Sequence, residues 1–575
     1  MTGATAAQML VSALRDAGVK YIFANFGSDH PAIIEALADD RERGIDWPAV
    51  IICPHESTAL SAAHAYAAAT GEAQAVFVHT DVGTANLGGA VHNAQRSRVP
   101  VFIFAGLTPY TLEGELPGTR NTHINHLQDA ADQHAIVRQY VKWNYDIRTA
   151  VNVPQLVNRG LQLARSAPQG PVYLTGAREV LVESAPVPDV DATRFAPIAL
   201  LPAPSNLVEE LLDDLSAATR PILITSYLGR DPASVLKLVA LAERFGLSVV
   251  EVNAEHLSFP HGHRLHAGDD PHLVLEGADL IIAVDTDAPY IHSIRRPDPA
   301  AKVWILNEDP LEEDIPLWTY PADRVVRVNS GVLLDQLLTG LPAPVPSFGA
   351  GADASESERR NGAIREPWHS ALEADLTAGR LTAASVAHVI STVIDEQTIV
   401  VNEAISEAPT VWKHLPRSEP GTVYGNRGSS LGWSGGGALG IKLAHPERMI
   451  VSIVGDGTFF FSVPSSTYWV ADRYGLPVLT VVLDNGGWNA TKRNLIRQHA
   501  GAAADSTDHY WVNLQQSADF PGIASAAGGA WGTTVTEFGA LEAALKEGYA
   551  QVASGRPAVV AVRLAPISHQ REDSL

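Results

Sequence analysis

The sequence is poor in features that mark secreted, membrane-spanning or nucleic-acid-binding proteins. Its single cysteine, Cys53, in 575 residues excludes an intramolecular disulfide and suits a reducing compartment. No run approaches about 18 apolar residues, and no basic, apolar signal opens the chain, so we expect a cytoplasmic protein with no membrane partner. Lys and Arg number 41 against 64 Asp and Glu, a balance of −23 that disfavours nucleic acid as a partner.

What the sequence does contain is a repeated alternation of short apolar strands and helical segments. This alternation predicts parallel sheets covered by helices on both faces. A proline-rich passage at 185–204 and a linker at 341–366 divide the pattern, and the linker composition is typical of chain that does not fold alone. We therefore predict an α/β protein of three doubly wound parallel-sheet domains, at residues 1–185, 205–340 and 367–575.

Two polar clusters follow predicted strands in the third unit, namely GDGT at 455–458 and DNGG at 484–487. Because the carboxyl ends of parallel strands meet at one edge of a sheet, both clusters could face one ion. Mg²⁺ prefers oxygen ligands, which predicts coordination by Asp456, Asn485 and the Gly487 carbonyl. The same turn could cradle a diphosphate through Gly455, Gly457 and Thr458. A tight turn after a strand would explain the first cluster alone, but not both.

A third motif, Pro54-His55-Glu56, follows a predicted strand and opens an alanine-rich helix. A lone glutamate in a first helical turn is commonly only a favourable partner of the helix dipole. Together, however, the three motifs resemble the thiamine-diphosphate-dependent enzymes, in the branch of acetolactate synthase, benzoylformate decarboxylase and pyruvate decarboxylase. The resemblance covers essentially the whole chain. It implies a pyrimidine-binding domain, a middle domain and a diphosphate-binding domain, in that order.

The resemblance implies thiamine diphosphate and Mg²⁺ as cofactors. It makes Glu56 the carboxylate that hydrogen-bonds the aminopyrimidine and helps to activate the thiazolium carbon. In the segment GSSLGW at 428–433, the Ser429 carbonyl would accept from the amine of the pyrimidine, and Leu431 would hold the two cofactor rings in a bent conformation. Ser406 is a further candidate for a diphosphate contact. The family pairs Glu56 with the diphosphate site of another subunit, so we expect a homodimer as the minimum unit and a homotetramer as the assembly.

Two segments resemble the substrate-binding parts of benzoylformate decarboxylase. In VHTDVGTAN, His79 matches a histidine that relays protons to the reacting carbon, and in FGSD, Ser28 matches a substrate-binding serine. The alternative for His79 is a histidine with satisfied hydrogen bonds near an interface. His292 is a weaker candidate for a second histidine from the middle domain.

Ligands of the middle domain remain open. The strand that ends at 285–287 lacks the glycine–arginine pattern of FAD-bearing acetolactate synthases, so FAD is not favoured. Acidic residues at 307–310 could meet the ribose of ADP, but an ordinary acidic turn explains them equally well.

The sequence departs from the family at Asp484, where an asparagine is usual. The resemblance implies a carbon–carbon lyase or synthase that acts on a 2-keto acid or acyloin-type substrate through a thiazolium-bound carbanion. One alternative is a 2-hydroxyacyl-CoA lyase that releases formyl-CoA. Another is a catalytically silent regulatory protein, which the intact Glu56, Asp456 and Asn485 disfavour.

Overall fold

The computed structural model describes residues 3–341, 354–507, 511–514 and 518–565. Three parallel sheets flanked by helices follow one another along the chain, which confirms the α/β prediction. The strands of these sheets lie within residues 21–177, 221–327 and 399–563, and the exact domain boundaries stay predictions. Within the described ranges, no helix combines the length and apolar character that crossing a membrane requires.

The first sheet has six parallel strands in the order β3-β2-β4-β5-β7-β6, and a short antiparallel pair joins β1 to β8. Its elements are β1 (Ala4–Thr5), α1 (Ala6–Asp16), β2 (Tyr21–Ala24), α2 (Pro31–Glu42), β3 (Ala49–Ile52), α3 (Glu56–Thr70), β4 (Gln74–Val78), α4 (Thr80–Asn86), α5 (Gly88–Arg96), β5 (Val101–Leu107), α6 (Ile124–Leu127), β6 (Trp143–Ile147), α7 (Val153–Arg165), β7 (Val172–Ala177), α8 (Arg178–Leu181) and β8 (Ser184–Ala185). Apolar strands buried on both faces hold this sheet together, as parallel sheets require.

The second sheet has five parallel strands in the order β10-β9-β11-β12-β13. Its elements are α9 (Ser205–Ala217), β9 (Pro221–Thr225), α10 (Pro232–Phe245), β10 (Ser248–Glu251), β11 (Leu280–Val284), β12 (Lys302–Asn307), β13 (Arg324–Arg327) and α11 (Ser330–Thr339). The order reverses between β9 and β11, which is where open sheets of this kind form a crevice.

The third sheet has six parallel strands in the order β15-β14-β16-β17-β19-β18. Its elements are α12 (Ala354–Ala378), α13 (Ala383–Val393), β14 (Ile399–Glu403), α14 (Ala408–His414), β15 (Val423–Tyr424), α15 (Trp433–Ala444), β16 (Ile450–Gly455), α16 (Asp456–Phe461), α17 (Pro464–Arg473), β17 (Leu479–Asp484), α18 (Asn489–His499), α19 (Ala503–Thr507), α20 (Phe520–Gly528), β18 (Trp531–Val535), α21 (Leu541–Ala553) and β19 (Ala558–Arg563).

The linker prediction for 341–366 is wrong over its second half, because α12 begins at Ala354. Tertiary contacts explain the difference. Ser357 donates to the carbonyl of Gly246 at 2.8 Å, and Asn361 accepts from Ser248 at 3.2 Å, so this polar helix docks on the second unit. Residues 342–353 lie outside the described part of the chain.

Helices α3 and α15 join the first and third units by close backbone packing. A Cβ atom at Gly436 would lie 2.4 Å from the carbonyl oxygen of Thr58, and one at Gly440 would lie 2.1 Å from that of Ala62. Both distances are too short for any side chain, so these glycines permit the contact. Since α3 begins at Glu56, this contact also positions one of the predicted site residues.

Candidate active site

The two polar clusters of the third unit lie side by side, as predicted. Strands β16 and β17 are neighbours with Gly455 opposite Leu483, so Asp456 and Asn485 follow adjacent strand ends. Asp456 Oδ2 and Asn485 Oδ1 are both buried without a hydrogen-bond partner. Leaving two buried oxygen acceptors unpaired is unfavourable, and a cation between them would satisfy both. The residues present therefore fit a Mg²⁺ site.

The electrostatics of this edge also favour a cation. Burial and the neighbouring charge of Asp484 raise the pKa of Asp456 to about 6. The amide of Gly457 donates to Asp456 Oδ1 at 2.7 Å, which leaves Oδ2 free to face a ligand. Asp484 Oδ2 lies 3.7 Å from Arg563 Nε, so part of its charge is compensated on the side of Arg563.

Gly487 occupies a position that only glycine can take. Its φ is +150°, and a Cβ atom there would lie 2.1 Å from the carbonyl oxygen of Val512. The flanking hydrogen bonds, from Trp488 to Val512 and from Leu514 to Gly486, use other carbonyls than that of Gly487. These two hydrogen bonds therefore do not use the Gly487 carbonyl, which is compatible with its predicted role as a backbone ligand.

Glu56 is buried at the first turn of α3, and both its oxygens accept hydrogen bonds from asparagines. Asn25 Nδ2 donates to Oε1 at 2.9 Å, and Asn86 Nδ2 donates to Oε2 at 3.0 Å. A Cβ atom at Gly83 would lie 3.3 Å from Oε1, so the glycine keeps this side of the carboxylate open. Neither Asn25 nor Asn86 belongs to a motif that predicts its role. Their positions after β2 and at the end of α4 were the signal that could have revealed them.

The segment at 428–432 is held by two neighbours. Asn93 Nδ2 donates to the Ser430 carbonyl at 2.9 Å, and the Ser430 amide donates to Asn93 Oδ1 at 3.1 Å. The buried carboxylate of Glu403 accepts from the amides of Gly432, Trp433 and Ser434. These bonds fix the backbone on both sides of Leu431.

The remaining predicted contacts differ in their surroundings. Ser429 is exposed, and Leu431 and Ser406 are partly buried. Gly455 is partly buried and Gly457 and Thr458 are buried at the start of α16. Arg493 Nη1 donates to the Ser406 carbonyl at 3.1 Å, and the Ser406 hydroxyl takes no part in this hydrogen bond.

His79 lies at the end of β4, bound on both sides. Its Nδ1 is 2.5 Å from Asp29 Oδ1, and its Nε2 is 3.1 Å from Gln128 Oε1. Burial raises the pKa of Asp29, but hydrogen bonds from His30 and His79 outweigh it and hold that pKa well below its usual range. The bond to Asp29 raises the pKa of His79 despite partial burial.

Ser28 is exposed next to this pair, and its carbonyl accepts from Arg178 Nη1 at 3.4 Å. The two predicted substrate residues, Ser28 and His79, therefore belong to one edge of the first sheet. His292 lies elsewhere, on the second unit, where its Nε2 bonds to the Thr319 carbonyl and its ring stacks on Tyr320.

Acidic and basic side chains pair with one another at the carboxyl edge of the second sheet. Arg230 Nη2 lies 2.9 Å from Glu308, and Arg98 of the first unit donates to both oxygens of Glu312 at 2.8 Å. Arg427 of the third unit also bonds to Asp287 and stacks over Tyr227. Side chains of all three units therefore contact one another at this edge of the second sheet.

A further buried cluster, which no sequence motif predicts, comprises Glu251, His261 and His266. His261 and His266 Nε2 lie 3.4 and 3.1 Å from Glu251 Oε2. The Arg417 amide donates to His261 Nδ1 at 3.3 Å, so the neutral ring carries its proton on Nε2. A metal would need a lone pair at that atom, and a metal-bound histidine normally donates from its other nitrogen. We therefore interpret this cluster as a buried carboxylate that the two histidines compensate.

Comparison with known protein families matches both ends of the chain. Residues 4–136 match the N-terminal TPP-binding domain of thiamine pyrophosphate enzymes, and residues 406–562 match their C-terminal TPP-binding domain. The chain belongs to the thiamine-diphosphate-dependent enzymes. The first match contains Glu56 and His79, and the second contains Asp456 and Asn485.

Named relatives of this thiamine-diphosphate-dependent enzyme catalyse several reactions. Benzoylformate decarboxylase of Pseudomonas aeruginosa is 27% identical over 494 residues, covering 83% of this chain and 85% of the relative. The acetolactate synthase large subunit of Haemophilus influenzae is 23% identical over 83% of this chain and 82% of the relative. Human 2-hydroxyacyl-CoA lyase 2 is 24% identical over 85% of this chain and 79% of the relative. The chain is accordingly an enzyme of the decarboxylase, synthase and lyase group.

Solved structures of thiamine-diphosphate-dependent enzymes share the whole fold. The 4-hydroxybenzoylformate decarboxylase of Rhodococcus jostii superimposes with a TM-score of 0.78 at 22% identity, over 98% of this chain and 99% of the other. Benzoylformate decarboxylase of Polynucleobacter necessarius gives 0.77 at 20% identity, over 98% of both chains. At these identities the likeness concerns the fold alone.

Proposed function

We propose that this enzyme decarboxylates a 2-oxo acid, in the manner of benzoylformate decarboxylase, with thiamine diphosphate and Mg²⁺ as cofactors. The observation that carries the proposal is the pairing of His79 with Asp29 beside the exposed Ser28, at the sheet edge that also carries Glu56. A histidine and a serine at this edge suit a small substrate with a carboxylate and a carbonyl. Benzoylformate decarboxylase among the relatives supports the same substrate class.

Residues of the third unit would hold the cofactors. Asp456, Asn485 and the Gly487 carbonyl would coordinate Mg²⁺, because two of these groups carry unpaired buried oxygens. The diphosphate would lie against the turn at the start of α16 and against Ser406. The carbonyl of Ser429 and the side chain of Leu431 would contact the rings. In this turn, Gly455, Gly457 and Thr458 would contact the diphosphate.

When bound, thiamine diphosphate supplies a nucleophilic thiazolium carbon and an electron sink. The chain supplies proton transfer and orientation. Glu56, held by Asn25 and Asn86, would exchange a proton with the pyrimidine. Ser28 would bind the substrate, and His79 would donate or remove a proton at the reacting carbon.

Two copies of the chain would form the proposed site, as the resemblance to the family implies. The side-chain partners of Glu56 are Asn25 and Asn86 of the first unit, whereas the Asp456 carboxylate bonds within the third unit. A homodimer in which the first unit of one chain faces the third unit of its partner would bring both halves together. A homotetramer would pair two such dimers.

The alternative substrate class is a 2-hydroxyacyl-CoA, as in human 2-hydroxyacyl-CoA lyase 2. Coenzyme A requires basic groups for its phosphates. A cavity of about 670 Å³ between the first and second units does contain Arg98, Arg165 and Arg230. Arg98 and Arg230 are already paired with Glu312 and Glu308, which favours the 2-oxo acid. Because Arg98 and Arg230 are already paired with carboxylates, neither FAD nor ADP is part of the proposal.

Cofactor binding tests the proposal first. After dialysis against a chelator, thiamine diphosphate binding is followed by circular dichroism and calorimetry with and without Mg²⁺. We expect saturable, Mg²⁺-dependent binding that Asp456→Ala abolishes. Glu56→Gln should retain most binding but lose activity by a factor of about 100 or more. Asp213→Ala and Glu209→Gln, on the exposed face of α9, serve as matched controls.

Substrate assays then separate the two classes. The wild type is incubated with benzoylformate, pyruvate and a 2-hydroxyacyl-CoA, and carbon dioxide and formyl-CoA are measured. Carbon dioxide from a 2-oxo acid supports the proposal. Formyl-CoA without carbon dioxide would establish the alternative, and no Mg²⁺-dependent cofactor binding would refute both.

A further inference from the structure

Both ring nitrogens of His79 face oxygen acceptors. Nδ1 lies 2.5 Å from Asp29 Oδ1, and Nε2 lies 3.1 Å from Gln128 Oε1. An imidazole can donate from both nitrogens only when each carries a proton. The arrangement therefore suits the imidazolium form of His79.

The Gln128 amide is the second neighbour that bears on the protonation of His79. Gln128 is buried, and its Nε2 has no hydrogen-bond partner. With Oε1 directed at the ring, Gln128 accepts from an Nε2–H group of His79, whereas the opposite amide orientation would donate to a lone pair on that nitrogen. The Gln128 variants described below separate these two cases. Thr108 Oγ1 donates to the Gln128 carbonyl at 2.7 Å and fixes its backbone.

We propose that Gln128 is a positioning residue that, together with Asp29, keeps His79 protonated on both nitrogens and so presents it as a proton donor. The catalytic meaning of this inference rests on the proposed function, but the protonation state of His79 does not. Asp81 adds a negative charge near His79, and His30 shares the carboxylate of Asp29. The hydrogen bond to Asp29 is the largest influence that raises the pKa of His79, and the bond to Gln128 acts in the same direction.

The pKa of His79 is measured in the full-length protein by the pH dependence of its carbethoxylation, read by mass spectrometry. We expect Gln128→Met to lower this pKa by about one unit, because the imidazolium loses an acceptor. Gln128→Glu, which has nearly the same shape, should raise it by about one unit or more, because a charge is added. Asp29→Asn should lower it further than Gln128→Met.

His272 provides the internal reference. Its Nδ1 bonds to Asp270 Oδ1 at 2.7 Å and its Nε2 accepts from the Ile291 amide, and none of the variants changes these contacts. An unchanged His79 pKa in both Gln128 variants would overturn the inference. If Gln128→Met does not fold, the pKa of His79 in Gln128→Glu is sufficient to test the inference.

The pH profile of kcat/KM distinguishes the inference from the proposed function. If both hold, the alkaline limb in the Gln128 variants moves by the same amount as the His79 pKa. A shifted pKa with an unmoved profile would uphold the role of Gln128 and refute the proposed catalytic role of His79.

Discussion

At the scale of single residues, the buried carboxylate of Asp456 controls how the proposed metal site responds to pH. Burial and the charge of Asp484 raise its pKa to about 6 in the metal-free chain. Mg²⁺ needs the ionised carboxylate, so a proton must leave when the metal binds at lower pH. Because the pKa of Asp456 lies above its ordinary value, metal affinity should increase as the pH rises through about 6.

The prediction is an apparent Mg²⁺ affinity that rises about tenfold per pH unit below about pH 6 and levels off above it. Asp484→Asn should move this curve to lower pH, because a neighbouring charge is removed. Calorimetry at fixed thiamine diphosphate concentration measures both proteins. The phosphate of the cofactor titrates identically in the two series, so only the difference between them is diagnostic. Superimposable curves would contradict the role given to Asp484.

At the scale of elements, the packing of α3 against α15 connects stability to the proposed site. Gly440 lies against the backbone of α3, where the obstructing atom is the carbonyl oxygen of Ala62. A backbone atom cannot move aside as the end of a flexible side chain can. Any side chain at this position must therefore separate the two helices or shift Glu56 at the start of α3.

We predict that Gly440→Ala destabilises the protein by about 1–3 kcal/mol. Differential scanning calorimetry should show an earlier first transition. Gly362→Ala on α12 is the matched control, since a Cβ atom there meets nothing within 4 Å. This control should leave stability unchanged or raise it by up to about 1 kcal/mol. Equal transitions in the two variants would show that the helices separate easily.

Edge strands and the docked helix explain where sequence patterns failed at this scale. Within the three large sheets, the sequence pattern does not predict β6, β15 or β18, and all three are edge strands. In β6 and β18 most residues are only partly buried or exposed, so the apolar run that marks a central strand is missing. Helix α12 is polar, and its contacts with the second unit, not its composition, stabilise it.

At the scale of the whole molecule, the proposed dimer predicts complementation between inactive variants. Glu56→Gln and Asp456→Ala each remove one half of the site. In a mixed dimer, the intact Glu56 of one chain would face the intact Asp456 of its partner. One of the two sites would then be restored.

Co-expression of the two variants in equal amounts should yield about 25% of wild-type activity, since half of randomly paired dimers are mixed and each has one intact site. Purification through two different affinity tags isolates the mixed dimer, which should have about 50%. Each variant alone is the control. Absence of activity in a mixed dimer that binds thiamine diphosphate would mean that Glu56 and Asp456 act within one chain.

The sequence by itself determined the fold class, the family and the residues that end the decisive strands. The alternation of short apolar strands and helices is visible within short stretches of the chain. Each of the motifs at Glu56, Asp456 and Asn485 is a continuous run of a few residues. Both features can therefore be recognised without knowledge of distant contacts. Only the tertiary structure decided the partners of these groups. Asn25 and Asn86 bind Glu56, and Asp29 and Gln128 bind His79, across 30 to 50 positions of the chain. Their contacts arise because the sheet order places non-consecutive strand ends together, which no local pattern encodes.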